Sequence, residues 1–152
     1  GVEKLERRSK EGEKLLYASD QQTPYSGWVK GVYDIGRISG LYQYKDGKRD
    51  GLQRRWSKNG QKESEKNYEY GELHGLSTEW YENGQKKGEV TFKDGKPDGL
   101  VTVWDEQGNI TKQITYNLGE EIESKIPAEL SDSNVFPAMF ATKILSNTHK
   151  TN

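Results

Sequence analysis

The alternation of apolar and polar positions repeats along this chain with a period of 24 residues. Glycines mark it in three registers: Gly27, Gly51, Gly75 and Gly99; Gly12, Gly36, Gly60, Gly84 and Gly108; and Gly47, Gly71, Gly95 and Gly119. Aromatic positions keep the same spacing, with Trp56, Trp80 and Trp104 in one series and Tyr44, Tyr68, Phe92 and Tyr116 in another. Self-similarity at a fixed period is the signature of a repeat architecture. Each unit reads as two short strands with alternating side chains. One strand ends at a turn such as Asn83-Gly84 and the next at Asp94-Gly95, both hairpin signals because glycine accepts positive φ.

Parity selects the turn at Gly84. A two-residue loop would set Trp80 opposite Lys87, among polar side chains. A three-residue loop, a type I turn followed by glycine in the left-handed conformation, sets Trp80 opposite Lys86. Carried along the strands, this register places Leu76 and Trp80 on one face with Val90 and Phe92. It also sets Thr78 against Gly88, Arg54 against Ser64 and Lys30 against Gly40. Because 24 is even, every unit should present its aromatics on the same face. The expected fold class is all-β: an elongated, single, twisted antiparallel sheet of tandem β-hairpin repeats, with a short C-terminal helix. Residues 1–122 form the array of five units. The first, at 3–26, is degenerate, fits the frame only through Gly12, and reads as an N-terminal cap.

The period stops after Glu121. Residues 123–133 are polar and read as a linker, and residues 134–152 as a tail. Within the tail NVFPAMFATKIL is the densest apolar run, with Pro137 in a first turn and Phe136, Phe140 and Ile144 four residues apart. Phe136, Met139, Phe140 and Ile144 are the candidate contacts of a short amphipathic helix. Such a helix is marginal alone and needs a surface. It either caps the last repeats or occupies a groove meant for a partner.

Composition changes the picture in one respect. Only 30% of the chain is hydrophobic and 31% is charged, a balance that tends toward disorder. The 4 Trp, 9 Tyr and 3 Phe offset this, since each ring buries roughly 150–250 Å². An ordered, thin structure follows. With 23 basic and 24 acidic residues the net charge is -1, which gives no support to nucleic-acid binding and little to membrane or lipid contact. No Cys is present, so disulfides, thiol catalysis and Cys-ligated zinc are excluded.

The segment 74–99, HGLSTEWYENGQKKGEVTFKDGKPDG, resembles the MORN repeat, in its bacterial variant with an NGQ-type turn and a G-x-x-x-x-[WY] opening strand. The resemblance covers 27–122 well and 3–26 weakly. It implies an elongated curved sheet used for protein contacts, in some members for lipid contacts. Relatives of this kind include exported bacterial proteins and antitoxin or immunity proteins. It implies no catalytic residues.

The residues themselves carry no catalytic motif. His74 stands where sibling units have Asp50 and Asp98, and reads as a turn residue; His149 lies in a polar terminus. The acidic set Glu63, Glu65, Glu69 and Glu72 reads as a solvated strand face rather than a metal site. No enzyme, metal or cofactor is expected. The candidate binding face comprises Trp28, Lys30, Tyr44, Arg54, Trp56, Lys62, Lys66 and Tyr68, cations beside rings in the early units. Their stems either pack along the rings or form a groove for an anionic partner segment or lipid headgroup. The expected function is a non-catalytic scaffold for protein–protein interaction, the alternative an antitoxin or immunity protein that blocks a toxin sterically. Self-association through exposed sheet edges is a further expectation. The chain starts at Gly1 rather than Met. If a signal peptide was trimmed, the setting is the periplasm or cell surface; otherwise it is the cytoplasm.

Overall fold

The computed structural model describes residues 4–19 and 21–126. They form twelve strands and no helix: β1 (Leu5–Lys10), β2 (Glu13–Ala18), β3 (Gly27–Val32), β4 (Ile38–Lys45), β5 (Lys48–Trp56), β6 (Lys62–Glu69), β7 (Glu72–Trp80), β8 (Lys86–Lys93), β9 (Lys96–Pro97), β10 (Gly99–Trp104), β11 (Ile110–Asn117) and β12 (Glu120–Lys125). Strands β3 to β12 make one antiparallel sheet in chain order, as the 24-residue period predicts, with β10 pairing directly with β8. The short β9 pairs with β8 and is separated from β10. Its equivalents in β5 and β7 run nine residues without a break. Pro97, which has no N–H to give, stands where those strands have Arg49 and Leu73. The amide of Asp98 then donates to the Thr91 carbonyl at 2.9 Å.

The turns are of two kinds. At the wide one, Tyr81 N–H donates to Gln85 O (2.9 Å) and Gly84 N–H to Tyr81 O (3.0 Å). Gly84 has φ 86, and Gly36, Gly60 and Gly108 match it at 77, 88 and 86. This is the expected three-residue loop. At the tight one, Asp94 and Gly95 both have positive φ, 49 and 75, the two-residue type I′ turn that suits twisted strands.

The register departs from expectation just beyond the wide turn. Trp80 pairs with Lys86, but Glu79 pairs with Gly88, so Lys87 is an additional bulged residue. The same bulge recurs between Arg55 and Trp56 and between Val103 and Trp104. One extra residue moves the remainder of the strand to the other face. Thr78 therefore opposes Glu89, Arg54 opposes Glu65 and Lys30 opposes Leu41. Leu76 and Trp80 do not share a face with Val90 and Phe92. The single aromatic face expected from the sequence is two faces. The Trp series lies on one, and Tyr44, Tyr68, Phe92 and Tyr116 lie on the other.

The first hairpin departs as well. β1 and β2 form a separate two-stranded sheet. Gly12 sits with Glu11 in a tight turn, at φ 86 and 52, not in the wide turn of Gly36 and its siblings. This hairpin docks on the next unit. Leu16 N–H donates to Gly47 O (2.9 Å), Tyr25 N–H to Leu16 O (2.7 Å) and Gly47 N–H to Tyr25 O (2.8 Å). A Cβ at Gly47 would stand 2.8 Å from Leu15 Cβ and 2.9 Å from Leu16 N, so only glycine permits this approach.

Burial is uneven. Leu15, Leu16, Tyr17 and Ala18 are buried in β2, while the array buries chiefly Tyr44, Ile114 and small polar residues such as Ser77, Thr78 and Thr102. Trp56, Trp80 and Trp104 are half-buried, and Trp28, Leu76 and Leu100 are exposed. β12 continues through Lys125, three residues into the segment expected to be a linker. The tail helix, with Phe136, Met139, Phe140 and Ile144, lies outside the described residues.

Candidate functional site

The eight residues of the candidate face divide between the two sides of the sheet. Trp28, Lys30, Arg54, Trp56 and Lys62 lie on one side, and Tyr44, Lys66 and Tyr68 on the other. Directly paired residues share a side and successive residues alternate. The pairs Trp28–Gln43, Lys30–Leu41, Arg54–Glu65 and Trp56–Lys62 therefore belong together.

On the Trp side the cations are engaged with one another's neighbours. Glu65 Oε2 accepts from Arg54 Nε at 2.8 Å and lies 3.4 Å from Lys62 Nζ. Lys62 Nζ stands 4.3 Å from the centroid of the Trp80 ring. The Arg54 hydrogen bond, with Lys62 adding to it against the opposing effect of burial, holds the Glu65 carboxyl below its ordinary pKa. One repeat later the module recurs. Lys86 Nζ is 2.5 Å from Glu89 Oε2 and 5.7 Å from the Trp104 ring, and Thr78 Oγ1 replaces the arginine at 3.4 Å. A glutamate tethers a lysine over the next tryptophan. These cations are packing elements of the repeat.

The other side holds a groove of about 640 Å³ whose lining includes Tyr42, Tyr44, Arg49, Gln53, Arg55 and Tyr68 and which reaches Lys62 and Trp80 at its rim. Beyond Gln53 the pairing of β5 with β4 slips by two residues, so Arg49 comes opposite Tyr44. Arg49 Nη1 donates to the Tyr68 hydroxyl at 3.2 Å, and its Cζ lies 5.3 Å from that ring's centroid. Burial opposes the charge of Arg49, but the hydroxyls of Tyr44 and Tyr68 outweigh it, and its pKa is raised. Nearby cations are paired: Lys66 Nζ with Glu79 at 2.7 Å, and Arg55 Nη2 with Glu63 at 3.7 Å. Gln53 Nε2 donates to Gln43 O at 2.8 Å. Arg49 Nε and Gln53 Oε1 are buried without a hydrogen-bond partner.

Sequence reasoning brought out Tyr44, Lys66 and Tyr68 but passed over Tyr42, Arg49, Gln53 and Arg55. Their signal lay in the repeat frame. Arg49 stands where the next two units have Leu73 and Pro97, and Arg55 where they have Glu79 and Val103. A cation at a position where the next two units carry none was legible before any fold was known.

His74 Nδ1 lies 3.5 Å from carboxylate oxygens of both Glu69 and Asp94, at the tight-turn edge rather than in the groove. Its siblings Asp50 and Asp98 accept the turn amides of Tyr70 and Leu118, each at 3.2 Å. Among the described residues no group of His, Asp and Glu is arranged to hold a metal ion. No helix among them is long and apolar enough to cross a membrane.

The model of the MORN repeat variant matches residues 49–70, 73–94 and 97–118, three consecutive copies. No curated protein matches the chain. MORN repeats are protein- or membrane-binding motifs of a non-enzymatic family. The matched copies begin at Arg49, Leu73 and Pro97, on the strand that leaves each tight turn, so one copy spans both strands of one wide-turn hairpin. Residues 49–118 are thus three consecutive copies that match the MORN repeat variant.

Proposed function

We propose that this chain is a non-catalytic scaffold that binds an extended segment of a protein partner in the groove floored by Tyr42, Tyr44 and Tyr68. The observation that carries this reading is the groove itself: about 640 Å³, lined by rings with polar tips. Tyrosine gives large contact area with little conformational freedom to lose, and its hydroxyl keeps a hydrogen-bonding handle. The opposite side offers exposed Leu76 and Leu100, but Arg54, Lys62 and Lys86 there are occupied by Glu65 and Glu89.

The test is a pair of photo-crosslinking variants. Benzoylphenylalanine replaces Tyr42 in the groove or Leu76 on the other side, and both proteins are expressed in source cells. A partner band from the Tyr42 position alone is expected. Equal bands from both positions, or a band from Leu76 alone, would overturn the groove reading. On the resemblance of the repeats to exported bacterial proteins we place the chain in the periplasm or at the cell surface. Fractionation of source cells checks this, and a cytosolic product beside a neutralised toxin would favour the immunity role instead.

A further inference from the structure

We infer that the groove contains a carboxylate-binding subsite at Arg49, which takes an acidic residue of the bound segment; this rests on the groove reading above. Four observations converge on it.

The repeat supplies an internal control. At the three positions 49, 53 and 55 the unit containing the groove carries Arg, Gln and Arg, whereas the last matched unit carries Pro97, Val101 and Val103. The hairpin therefore forms with wholly apolar residues there. The polar set is not required by the fold.

Arg49 is also one of two groove cations left without a carboxylate, the other being Lys87, which lies over the Tyr81 ring. Among the described residues Lys62, Lys66 and Arg55 each lie within 4 Å of a glutamate, and Arg49 has no carboxylate so placed. Its only side-chain hydrogen bond is to a neutral phenol. A guanidinium offers five N–H donors in a rigid fork that matches a carboxylate. Here Nε, on the edge of that fork, is buried and unused.

Gln53 adds the complementary element. It is 5% exposed, its amide N–H is committed to Gln43 O, and Oε1 accepts nothing. A buried acceptor left unpaired costs roughly 1–3 kcal/mol. An extended peptide satisfies both needs at once, giving a main-chain N–H to Gln53 and a side-chain or terminal carboxylate to Arg49.

Charge stoichiometry decides against a phosphate. A phosphoryl dianion or an anionic membrane surface calls for several uncommitted cations, and the groove holds two without a carboxylate, Arg49 and Lys87, of which Lys87 lies over the Tyr81 ring at 5.7 Å. A single carboxylate matches Arg49, with Tyr44 and Tyr68 flanking the pair and excluding water.

The test uses the full chain and an end-capped nonapeptide library with the central residue fixed as Glu, Gln or phosphoserine. Hits are measured by fluorescence polarisation. Glu peptides should be enriched, and Glu→Gln in a hit should weaken binding at least tenfold. Arg49→Leu, which installs the residue that Leu73 holds in the next unit, should remove that tenfold difference while leaving the melting temperature in place. Arg49→Lys keeps the charge, loses the fork and should recover only part of the difference. Uncapped peptides ending in a free carboxylate separate a terminal from a side-chain source, and either source supports the subsite if it depends on Arg49. The inference is overturned if Glu and Gln peptides bind alike, if Arg49→Leu leaves the preference intact, or if phosphoserine peptides or phosphatidylserine vesicles bind better. In each of those cases the Tyr42 crosslink still reports on the groove reading separately.

Discussion

The first hairpin and the repeat array solve the same problem in opposite ways. In β2 four consecutive residues, Leu15 to Ala18, are 9%, 7%, 4% and 4% exposed. Consecutive burial in a strand means that both faces are covered. On the face of Leu15 and Tyr17, Arg8 lies over the Tyr17 ring at 5.1 Å and the Asp46-Gly47 turn meets Leu15. In the array burial is shallow and spread out: half-buried Trp rings on one side, Tyr and Phe rings on the other, and buried Ser and Thr between them. A repeat gains most of its stability from its neighbours. The first hairpin holds the only run of deep apolar burial among the described residues.

The comparison is broken most severely by Leu16→Ala. Removing a buried leucine side chain should cost about 3 kcal/mol, and at a docking point it should loosen the whole hairpin. Hydrogen exchange should show residues 5–18 losing protection before the strands β6 to β8. Uniform loss along the chain would instead mean that hairpin and array unfold as one unit.

A sharper version changes the same residue type in the two regions. Gly47 and Gly84 have nearly equal φ, 79 and 86. A new Cβ at Gly84 meets nothing within 4 Å, whereas at Gly47 it meets Leu15 and Leu16. Gly84→Ala should cost about 1 kcal/mol, the backbone strain alone. Gly47→Ala should cost about 2–3 kcal/mol, since strain and steric displacement combine. Equal melting temperatures for the two variants would show that the hairpin is not docked as described.

In the array, Trp80→Ala should cost about 2 kcal/mol. The ring is half-buried, so the transfer contribution is about half that of a core aromatic, with a small addition from Lys62 above it. Denaturant midpoints of wild type and variant check this. A loss as large as that of Leu16→Ala would place the ring in a deeper core than the structure gives it.

These contrasts also mark what the sequence made legible. The hairpin order, both turn positions and the three-residue loop follow from glycine spacing, because positive φ leaves a residue signature. The extra bulge at Lys87 leaves none, since that backbone position accepts any side chain. One unmarked residue was enough to merge two faces into one in the sequence reading, and so to join Arg54 and Lys62 with Tyr68. Gly12 misled for a related reason: its spacing fits the wide-turn series, but Glu11 at φ 52 makes its turn the tight kind. The groove was half visible. Tyr44, Lys66 and Tyr68 emerged from aromatic and basic patterning, while Arg49 and Gln53 needed a comparison between units at fixed offset.

The smallest expected effect concerns the ionic ladder of the Trp side, and its sign can be worked out. The Arg54 hydrogen bond and Lys62 hold the Glu65 carboxyl below its ordinary value in the folded chain. A depressed carboxylate pKa stabilises the fold at pH above the unfolded value, near 4.3, and that contribution is lost as pH falls through the folded value. Glu65 is 30% exposed and Arg54 42%, so screening keeps the effect to about 0.5 kcal/mol. Many carboxylates titrate in the same window, which makes the wild type alone uninformative. The difference between wild type and Glu65→Gln isolates the one group. It should be about 0.5 kcal/mol at pH 7, shrink between about pH 5 and pH 3, and be small below that. In 1 M salt it should nearly vanish at every pH, because a partly exposed ion pair is screened. The Trp80 emission should shift in parallel, since releasing Glu65 frees Lys62 from its place over the ring. A difference that stays constant from pH 7 to pH 3 would mean that Glu65 acts through packing of its stem, and the ladder would then be a row of contacts with no ionic component.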